Sequence, residues 1–248
     1  LGKRTEQASE RHEAYVGKAL AGPTPYPRNR RGSEGVCVLA HVVRAHGLWS
    51  SPITAAAIGR GMRFGDVQWT RVADGKRPSL VWTESREGRT VVVAWSGFDA
   101  PCDVTTDLNV RARLGYGGGE FTVAEDTVFF VADGRLYRQA LAGGEPRPVT
   151  PAFGQAASPT VSRDGRFVAY VHSDEGRDCV ALVDTDGHCW PQKVVQGDDF
   201  YMQPAWHPDG AMLAVVAWNH PHMPWDGSEL RLVRLCRDAD KTGLPTVE

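Results

Sequence analysis

The sequence has no long apolar run, no excess of one charge and few cysteines. Its 28 Lys and Arg and 30 Asp and Glu leave a net charge of −2, which gives no reason to expect a nucleic-acid partner. No apolar run approaches the roughly 18 residues that suggest a membrane span, so no membrane partner is expected. Five scattered cysteines without a CxxC spacing do not indicate a disulfide framework. We therefore expect reduced thiols in a cytoplasmic protein.

Helical periodicity is nearly absent after residue 60, and an internal repeat is present instead. The segment SPTVSRDGRFVAYVH, residues 158–172, is echoed 45 residues later by QPAWHPDGAMLAVVA, residues 203–217. Each copy predicts a short strand, a turn closed by Asp-Gly and an apolar second strand. Asp-Gly suits that turn because glycine accepts positive φ and aspartate bonds back to the turn amides.

A third strand is predicted in each copy, at Val180–Asp184 and at Leu230–Arg234. The connection before it is five residues longer in the second copy, where WNHPHMPWDGSE stands against HSDEGRD. Three strands and a return strand in about 45 residues are typical of a β-propeller blade. The last copy is expected to end after its third strand.

Two further blades are predicted upstream from hairpin turns at Glu87-Gly88 and Asp133-Gly134. We therefore expect an all-β fold over residues 46–248, a partial β-propeller of about four antiparallel blades. The predicted blades span about residues 66–106, 119–150, 158–196 and 203–235. Residues 1–45 are expected to form a separate extension, partly helical or irregular, that ends in an exposed Pro- and Arg-rich linker.

Four segments carry a resemblance to a known family. GLWSSPIT (47–54), GYGGGEFTV (115–123), DFYMQPAWHPDGAMLAVVAW (199–218) and HPHMPWDGSEL (220–230) resemble the N-terminal propeller of prolyl oligopeptidase family serine peptidases. Within that family the chain is most similar to the dipeptidyl aminopeptidase and acylaminoacyl peptidase branch. The resemblance covers about residues 46–235 and has one small departure, because Arg163 stands where such repeats usually have proline, as at Pro208.

The resemblance implies a function in two parts. The propeller would restrict the access of short peptides to an active site, with a peptide substrate and a C-terminal α/β-hydrolase domain as its partners. The G-x-S-x-G motif, which lifts the nucleophilic serine on a strained turn, occurs nowhere in this chain. The nearest segment, RGSEG at residues 31–35, lacks the first glycine and a preceding strand. We therefore expect the hydrolase domain to be absent, with no catalytic residue, metal or cofactor in this chain.

A second function class stays open, a stand-alone TolB-like or WD-repeat-like propeller that acts as a protein interaction platform. The two classes differ in whether a G-x-S-x-G motif, followed by Asp and His, is encoded beyond Glu248.

The inserted loop NHPHMPWDG is the first candidate for a contact with the substrate or with the catalytic domain. In the alternative interpretation, Trp225 and Met223 pack back over the sheet, as large aromatic side chains on loops often do. A metal site of His220, His222 and Asp226 is not expected, because the two rings of His-Pro-His in an extended segment point apart.

The segment GYGGGEF supplies the remaining candidate. Its three consecutive glycines predict a crossing where two backbones approach too closely for a Cβ, rather than a phosphate site, because no helix follows. Glu120 comes next, and near the propeller axis its carboxylate is a candidate to meet the amino terminus of a peptide. The candidate contact residues are therefore Glu120, His220, His222, Trp225, Asp226 and Glu229.

Overall fold

The computed structural model describes residues 61–71, 77–114, 116, 119–236 and 243–248. The chain divides into two compact units, Leu1–Ser51 and Pro52–Glu248, and every described residue belongs to the second. The extension predicted for residues 1–45 lies outside the described residues, as does the RGSEG segment. No helix in the described part of the chain has the length and apolar character needed to span a membrane.

The described residues form four antiparallel sheets of four strands each, and none of them lies in a helix. The first sheet contains β1 (Arg63–Trp69), β2 (Leu80–Arg86), β3 (Arg89–Trp95) and β4 (Cys102–Asp103). The second contains β5 (Phe121–Ala124), β6 (Thr127–Ala132), β7 (Arg135–Ala140) and β8 (Arg147–Pro148). The third contains β9 (Gln155–Val161), β10 (Phe167–Asp174), β11 (Arg177–Asp184) and β12 (Gln192–Val195). The fourth contains β13 (Phe200–Trp206), β14 (Met212–Trp218), β15 (Glu229–Cys236) and β16 (Thr246–Val247). The predicted all-β partial propeller is thus confirmed.

Two-residue turns join the second and third strands of the first three sheets. These turns are Glu87-Gly88, Asp133-Gly134 and Glu175-Gly176, and all six residues have positive φ. Turns of this kind match the right-handed twist of the flanking strands, which explains why Asp-Gly and Glu-Gly stand there. In the fourth sheet the ten residues 219–228 replace the tight turn. The insertion found in the sequence therefore lies at one end of the fourth sheet.

The fourth sheet contains one strand that the sequence analysis missed. Thr246–Val247 pairs antiparallel with Leu235 and Cys236 of β15. The expectation that the last copy ends after its third strand is therefore wrong. A strand of two residues is too short to show the alternation of apolar and polar residues by which strands are predicted.

Apolar layers lie between consecutive sheets. Val92 and Phe121 belong to the layer between the first and second sheets, and Leu182 and Leu213 to the layer between the third and fourth. The middle layer lies between the second and third sheets, and Phe129 belongs to it. Along the chain, β5 contacts both β1 and β9, and β9 contacts β13. The sheets therefore stack face to face with their first strands side by side, as the blades of a propeller do.

Candidate functional site

Five of the six candidate residues lie at one end of the fourth sheet. In a four-strand antiparallel meander, the start of the first strand and the connection between the second and third strands lie at the same end. The structure shows this contact directly, because the Asp199 amide donates to Asn219 Oδ1 at 2.7 Å. The same arrangement holds in the neighbouring sheets, where the Ala156 amide donates to the Gly134 carbonyl at 3.0 Å. We call this end of the sheets the loop face; it comprises residues 61–62, 119–120, 153–154 and 198–199, the three two-residue turns and loop 219–228.

Asp198 is the centre of a hydrogen-bond network at the loop face. The Arg231 guanidinium donates to its carboxylate through Nη2 at 2.9 Å and Nε at 3.2 Å. Asn219 Nδ2 donates to the same carboxylate at 2.8 Å, and the Tyr201 hydroxyl donates to it at 3.3 Å. The hydrogen bonds from Arg231 hold the pKa of Asp198 below its ordinary value, whereas burial raises the pKa of Tyr201 to about 12. The network therefore ties the start of β13 to β15 and to the inserted loop.

Asp199 makes a second attachment at the base of the loop. Its Oδ2 accepts the His220 backbone N–H at 2.9 Å and lies 3.1 Å from His220 Nδ1. These bonds, the backbone one first, lower the pKa of the Asp199 carboxyl. Two consecutive aspartates thus hold the first two residues of the loop, Asn219 and His220.

The loop itself is compact. The amides of Asp226 and Gly227 donate to the Met223 carbonyl at 3.0 and 3.2 Å, and Asp226 Oδ1 accepts the Met223 amide at 2.6 Å. A Cβ at Gly227 would lie 2.5 Å from His222 Cγ, so only glycine fits at this position. His222 Nδ1 is 3.8 Å from Asp226 Oδ1. The backbone of the loop is therefore organised by its own short-range hydrogen bonds.

An aromatic cluster supports the loop from below. Phe200 stacks on Trp218 at 5.2 Å between ring centroids, and Tyr116 meets both rings edge-on. The Tyr116 hydroxyl lies 3.9 Å from Met223 Sδ, and Met223 is partly buried. Trp225, in contrast, is 74% exposed. The packing interpretation therefore holds for Met223 and is wrong for Trp225, which projects from the loop face.

Glu229 lies where the loop enters β15. Its Oε2 is 3.0 Å from Arg231 Nη1, so it shares the guanidinium with Asp198. The candidate residues His220, His222, Trp225, Asp226 and Glu229 are thus brought together at one end of the fourth sheet, and Glu120 is not among them.

Glu120 lies in a cavity of about 630 Å³ between the first and second sheets. Arg63, Arg111 and Asn109 line the same cavity. Glu120 is partly buried, and this burial raises the pKa of its carboxyl; the charge of Asp66 acts in the same direction and that of Arg111 opposes it. A carboxylate in this position can bind a cationic group, but it shares the cavity with two arginines.

The structure explains why a glycine, Gly119, stands directly before Glu120. A Cβ on Gly119 would lie 3.2 Å from Ser158 Cα, and the φ of Gly119 is +70°. The Ser158 amide donates to the Gly119 carbonyl at 2.9 Å. The predicted close crossing of two blades is therefore confirmed at this residue, whereas Gly117 and Gly118 lie outside the described residues.

The side chains that could hold a metal ion lie elsewhere. Within the described ranges, Asp184, Asp186 and His188 are the one group of three whose ligand atoms all lie within 4.8 Å of one another. The Asp184 carboxylate already accepts the amides of Asp186, His188 and Cys189 at 3.0, 3.1 and 2.6 Å. These bonds lower the pKa of Asp184 although burial raises it. Asp184 therefore organises a turn.

Sequence analysis missed the residues that hold the loop. Asp198, Asp199 and Phe200 stand where the first copy of the repeat has Phe153, Gly154 and Gln155 at the same offset. This difference between the two copies was the available signal, because the loop that the second copy inserts needs attachments that the first copy does not.

The solved structures that are similar to this chain contain the same type of fold. No family model and no curated protein matches the chain. A puromycin-hydrolysing peptidase of Mycobacterium tuberculosis is 30% identical with a TM-score of 0.62, over 80% of this chain and 34% of that one. A puromycin hydrolase is 28% identical with a TM-score of 0.61, over 76% of this chain and 33% of that one. TolB from Acinetobacter baumannii is 19% identical with a TM-score of 0.50, over 67% of this chain and 40% of that one, which shows the fold alone.

The fold and the comparisons together show that the chain is part of a β-propeller built from four-stranded blades. The resemblance to the propeller part of prolyl oligopeptidase family peptidases is confirmed. The chain spans about a third of the length of the two puromycin-hydrolysing proteins that it matches.

Proposed function

We propose that this chain is the substrate-gating propeller part of a serine peptidase that hydrolyses short peptides. The observation that carries the proposal is the 30% identity, over 80% of this chain, to a peptidase that hydrolyses puromycin. Because no G-x-S-x-G motif is present, bond cleavage is assigned to a C-terminal α/β-hydrolase domain of the full-length protein. The dipeptidyl aminopeptidase and acylaminoacyl peptidase branch is the proposed subgroup. A cytoplasmic location is part of the proposal, because five scattered cysteines without a CxxC spacing do not indicate a disulfide framework.

The loop face is the proposed contact surface for the catalytic domain and the substrate. Trp225 projects into solvent from a loop whose base is held by Asp198 and Asp199. A rigid, exposed tryptophan contributes strongly to binding, because it brings a large apolar area at a small loss of side-chain entropy. Glu120, at the start of β5, is proposed to bind the free amino terminus of a peptide.

A serine-directed fluorophosphonate probe tests whether bond cleavage belongs to a domain outside this chain. We expect the probe to label the full-length protein and to leave the 248-residue chain unlabelled, because this chain lacks the nucleophile motif. Labelling is read by in-gel fluorescence, with heat-denatured protein as the control. A full-length protein that folds and is not labelled would refute the peptidase assignment and leave an interaction platform as the function.

Steady-state kinetics of the full-length protein, measured on enzyme that has not been treated with the probe, test the two proposed contacts. Trp225→Ala is expected to lower kcat/KM for puromycin about tenfold, because a central aromatic contact is lost. Glu120→Gln is expected to raise KM about tenfold for peptides with a free amino terminus and to leave N-acetylated peptides unchanged, because only the charged pair is removed.

Trp69→Ala is the matched control, because Trp69 is also an exposed tryptophan, at 60%, but lies at the end of β1 that is opposite the loop face. It should keep the kinetics of the unmodified enzyme, and all variants should still react with the probe. Equal losses of kcat/KM in Trp69→Ala and Trp225→Ala would contradict a specific role for the loop. An unchanged KM in Glu120→Gln would contradict the proposed contact with the amino terminus.

A further inference from the structure

A second cavity lies at the other end of the first strands. It has a volume of about 680 Å³ and is lined where β5, β9 and β13 end and by Arg71, just after β1. The Asp-Gly turns that follow β9 and β13 form part of its wall. None of the candidate contact residues lines this cavity, so it is separate from the loop face.

Arg163 brings a charge into this cavity at a position where the repeat has proline. In the fourth sheet the equivalent residue is Pro208, and both side chains line the cavity. Arg163 makes no hydrogen bond or ion pair with any residue that the structure describes. The turn itself does not need the arginine, because Asp164 Oδ1 accepts the Ser162 hydroxyl at 2.6 Å and the Arg166 amide at 3.3 Å. An exposed arginine that stabilises nothing in its own turn has its charge available for a ligand.

Arg71 and Trp206 complete the chemistry of the cavity. Arg71 Nη2 donates to the Val161 carbonyl at 3.3 Å, which fixes the side chain at the cavity wall. The Trp206 indole N–H donates to the Thr160 carbonyl at 3.0 Å, so its ring is held in place as an apolar surface. Glu125 is the one acidic residue among those that line the cavity, against two arginines, Arg71 and Arg163.

The remaining titratable groups near the cavity are paired. His207 Nδ1 lies 2.8 Å from Asp209 Oδ1, and this aspartate also accepts the Ala211 amide at 2.8 Å. The Asp164 carboxylate is engaged by its own turn. The cavity therefore combines two guanidinium groups, one carboxylate and an indole surface.

We propose that this cavity binds the terminal carboxylate of a peptide, with Arg71 and Arg163 as its cationic partners and the last side chain against Trp206. The planar guanidinium group presents paired N–H donors that match the two oxygens of a carboxylate. The ring of Trp206 favours an apolar last residue. The choice of a peptide rests on the proposed function, whereas the site itself rests on the cavity and its residues.

Isothermal titration calorimetry on the 248-residue chain at low ionic strength tests the site. The probes are Ala-Ala-Leu with a free carboxylate, its C-terminal amide, and inorganic phosphate. The free peptide is expected to bind at least about tenfold more tightly than the amide, because the amide lacks the charge that the guanidinium groups recognise. Arg163→Gln and Arg71→Gln are each expected to weaken binding of the free peptide about fivefold to tenfold.

Arg166→Gln is the matched control, since Arg166 belongs to the same turn as Arg163 but does not line the cavity. It should bind the free peptide as the unmodified chain does. Arg163→Pro introduces the residue that the other copy has at the equivalent position, Pro208, and should weaken binding as Arg163→Gln does. An unchanged circular dichroism spectrum would show that this variant is folded. Equal binding of peptide and amide, binding of phosphate alone, or unchanged affinity in Arg163→Gln would overturn the proposal. The titration requires no catalysis, so a failure of the peptidase assignment would be seen separately, in the probe labelling.

Discussion

Replacement of Leu213 by alanine is expected to lower the free energy of unfolding by about 3 kcal/mol. Leu213 is fully buried in the layer between the third and fourth sheets, in one cluster with Leu182 and Tyr201. Truncation to alanine removes three buried carbons and leaves a cavity, because two packed sheets cannot collapse around it. Urea denaturation followed by tryptophan fluorescence measures the change.

Leu232→Ala is the control for this prediction. Leu232 is 67% exposed on the next strand, β15, where it pairs with Ala214 on the face of the fourth sheet turned away from the third. The same chemical change there should alter the free energy of unfolding by less than about 0.5 kcal/mol. A similar loss in both variants would show that the two faces of the fourth sheet are equally buried, which would contradict the packing described above.

Asp198→Ala is expected to lower the free energy of unfolding by about 2 to 3 kcal/mol, because hydrogen bonds to a charged group are among the stronger ones. Arg231, Asn219 and Tyr201 would all lose their hydrogen bonds to the Asp198 carboxylate. Loop 219–228 would also lose one of its attachments to the start of β13, the bond from Asn219 to Asp198, and would keep the attachment through Asp199. We expect faster amide hydrogen exchange in this loop, measured by mass spectrometry, with little change in the first two sheets.

The effect of Asp198→Ala should depend on pH in a defined direction. Its hydrogen bonds with Arg231 hold the pKa of Asp198 below the ordinary value, which is about 3.9 for an aspartate in an unfolded chain. The stabilisation is therefore fully present above about pH 4 and is lost as the pH falls through the lower, folded-state pKa. The difference between the unmodified chain and Asp198→Ala should be constant between pH 7 and 5 and shrink below about pH 4.

Asp199→Ala distinguishes the effect of the Asp198 hydrogen-bond network from that of the bond between Asp199 and the loop. The Asp199 side chain is half exposed and bonds only to His220 in the network described, so its loss should leave global stability close to that of the unmodified chain. A denaturation midpoint in Asp199→Ala as low as that in Asp198→Ala would contradict the central position given to Asp198.

The loop face and the second cavity occupy opposite ends of the same first strands. β13 starts beside Asp198 and Asp199 and ends at Trp206, which lines the cavity. A repeat unit that is used several times thus offers two sets of variable positions, one at each end of its strands, while the apolar strand residues between them keep the layers packed. The insertion at 219–228 is a variation at the loop-face end, and the arginine at position 163 is a variation at the end that carries the second cavity.

The short-range features of the fold followed from the sequence alone. The repeat at 158–172 and 203–217 predicted paired strands joined by Asp-Gly turns, and the structure has both, with Asp209 Oδ1 accepting the Ala211 amide. Glycine before Glu120 predicted the close crossing found between Gly119 and Ser158. Such features depend on φ preferences and on hydrogen bonds between near neighbours, and a few consecutive residues determine both.

The long-range contacts were decided by the tertiary structure. Nothing in the sequence placed Arg231 on Asp198, 33 residues away, or Arg71 on Val161, 90 residues away. The same holds for the exposure of Trp225, because the loop sequence does not distinguish it from Met223, which the structure places against Tyr116. Which side chains meet across different sheets depends on how those sheets stack and twist, and a strand pattern specifies only which face of its own sheet is apolar.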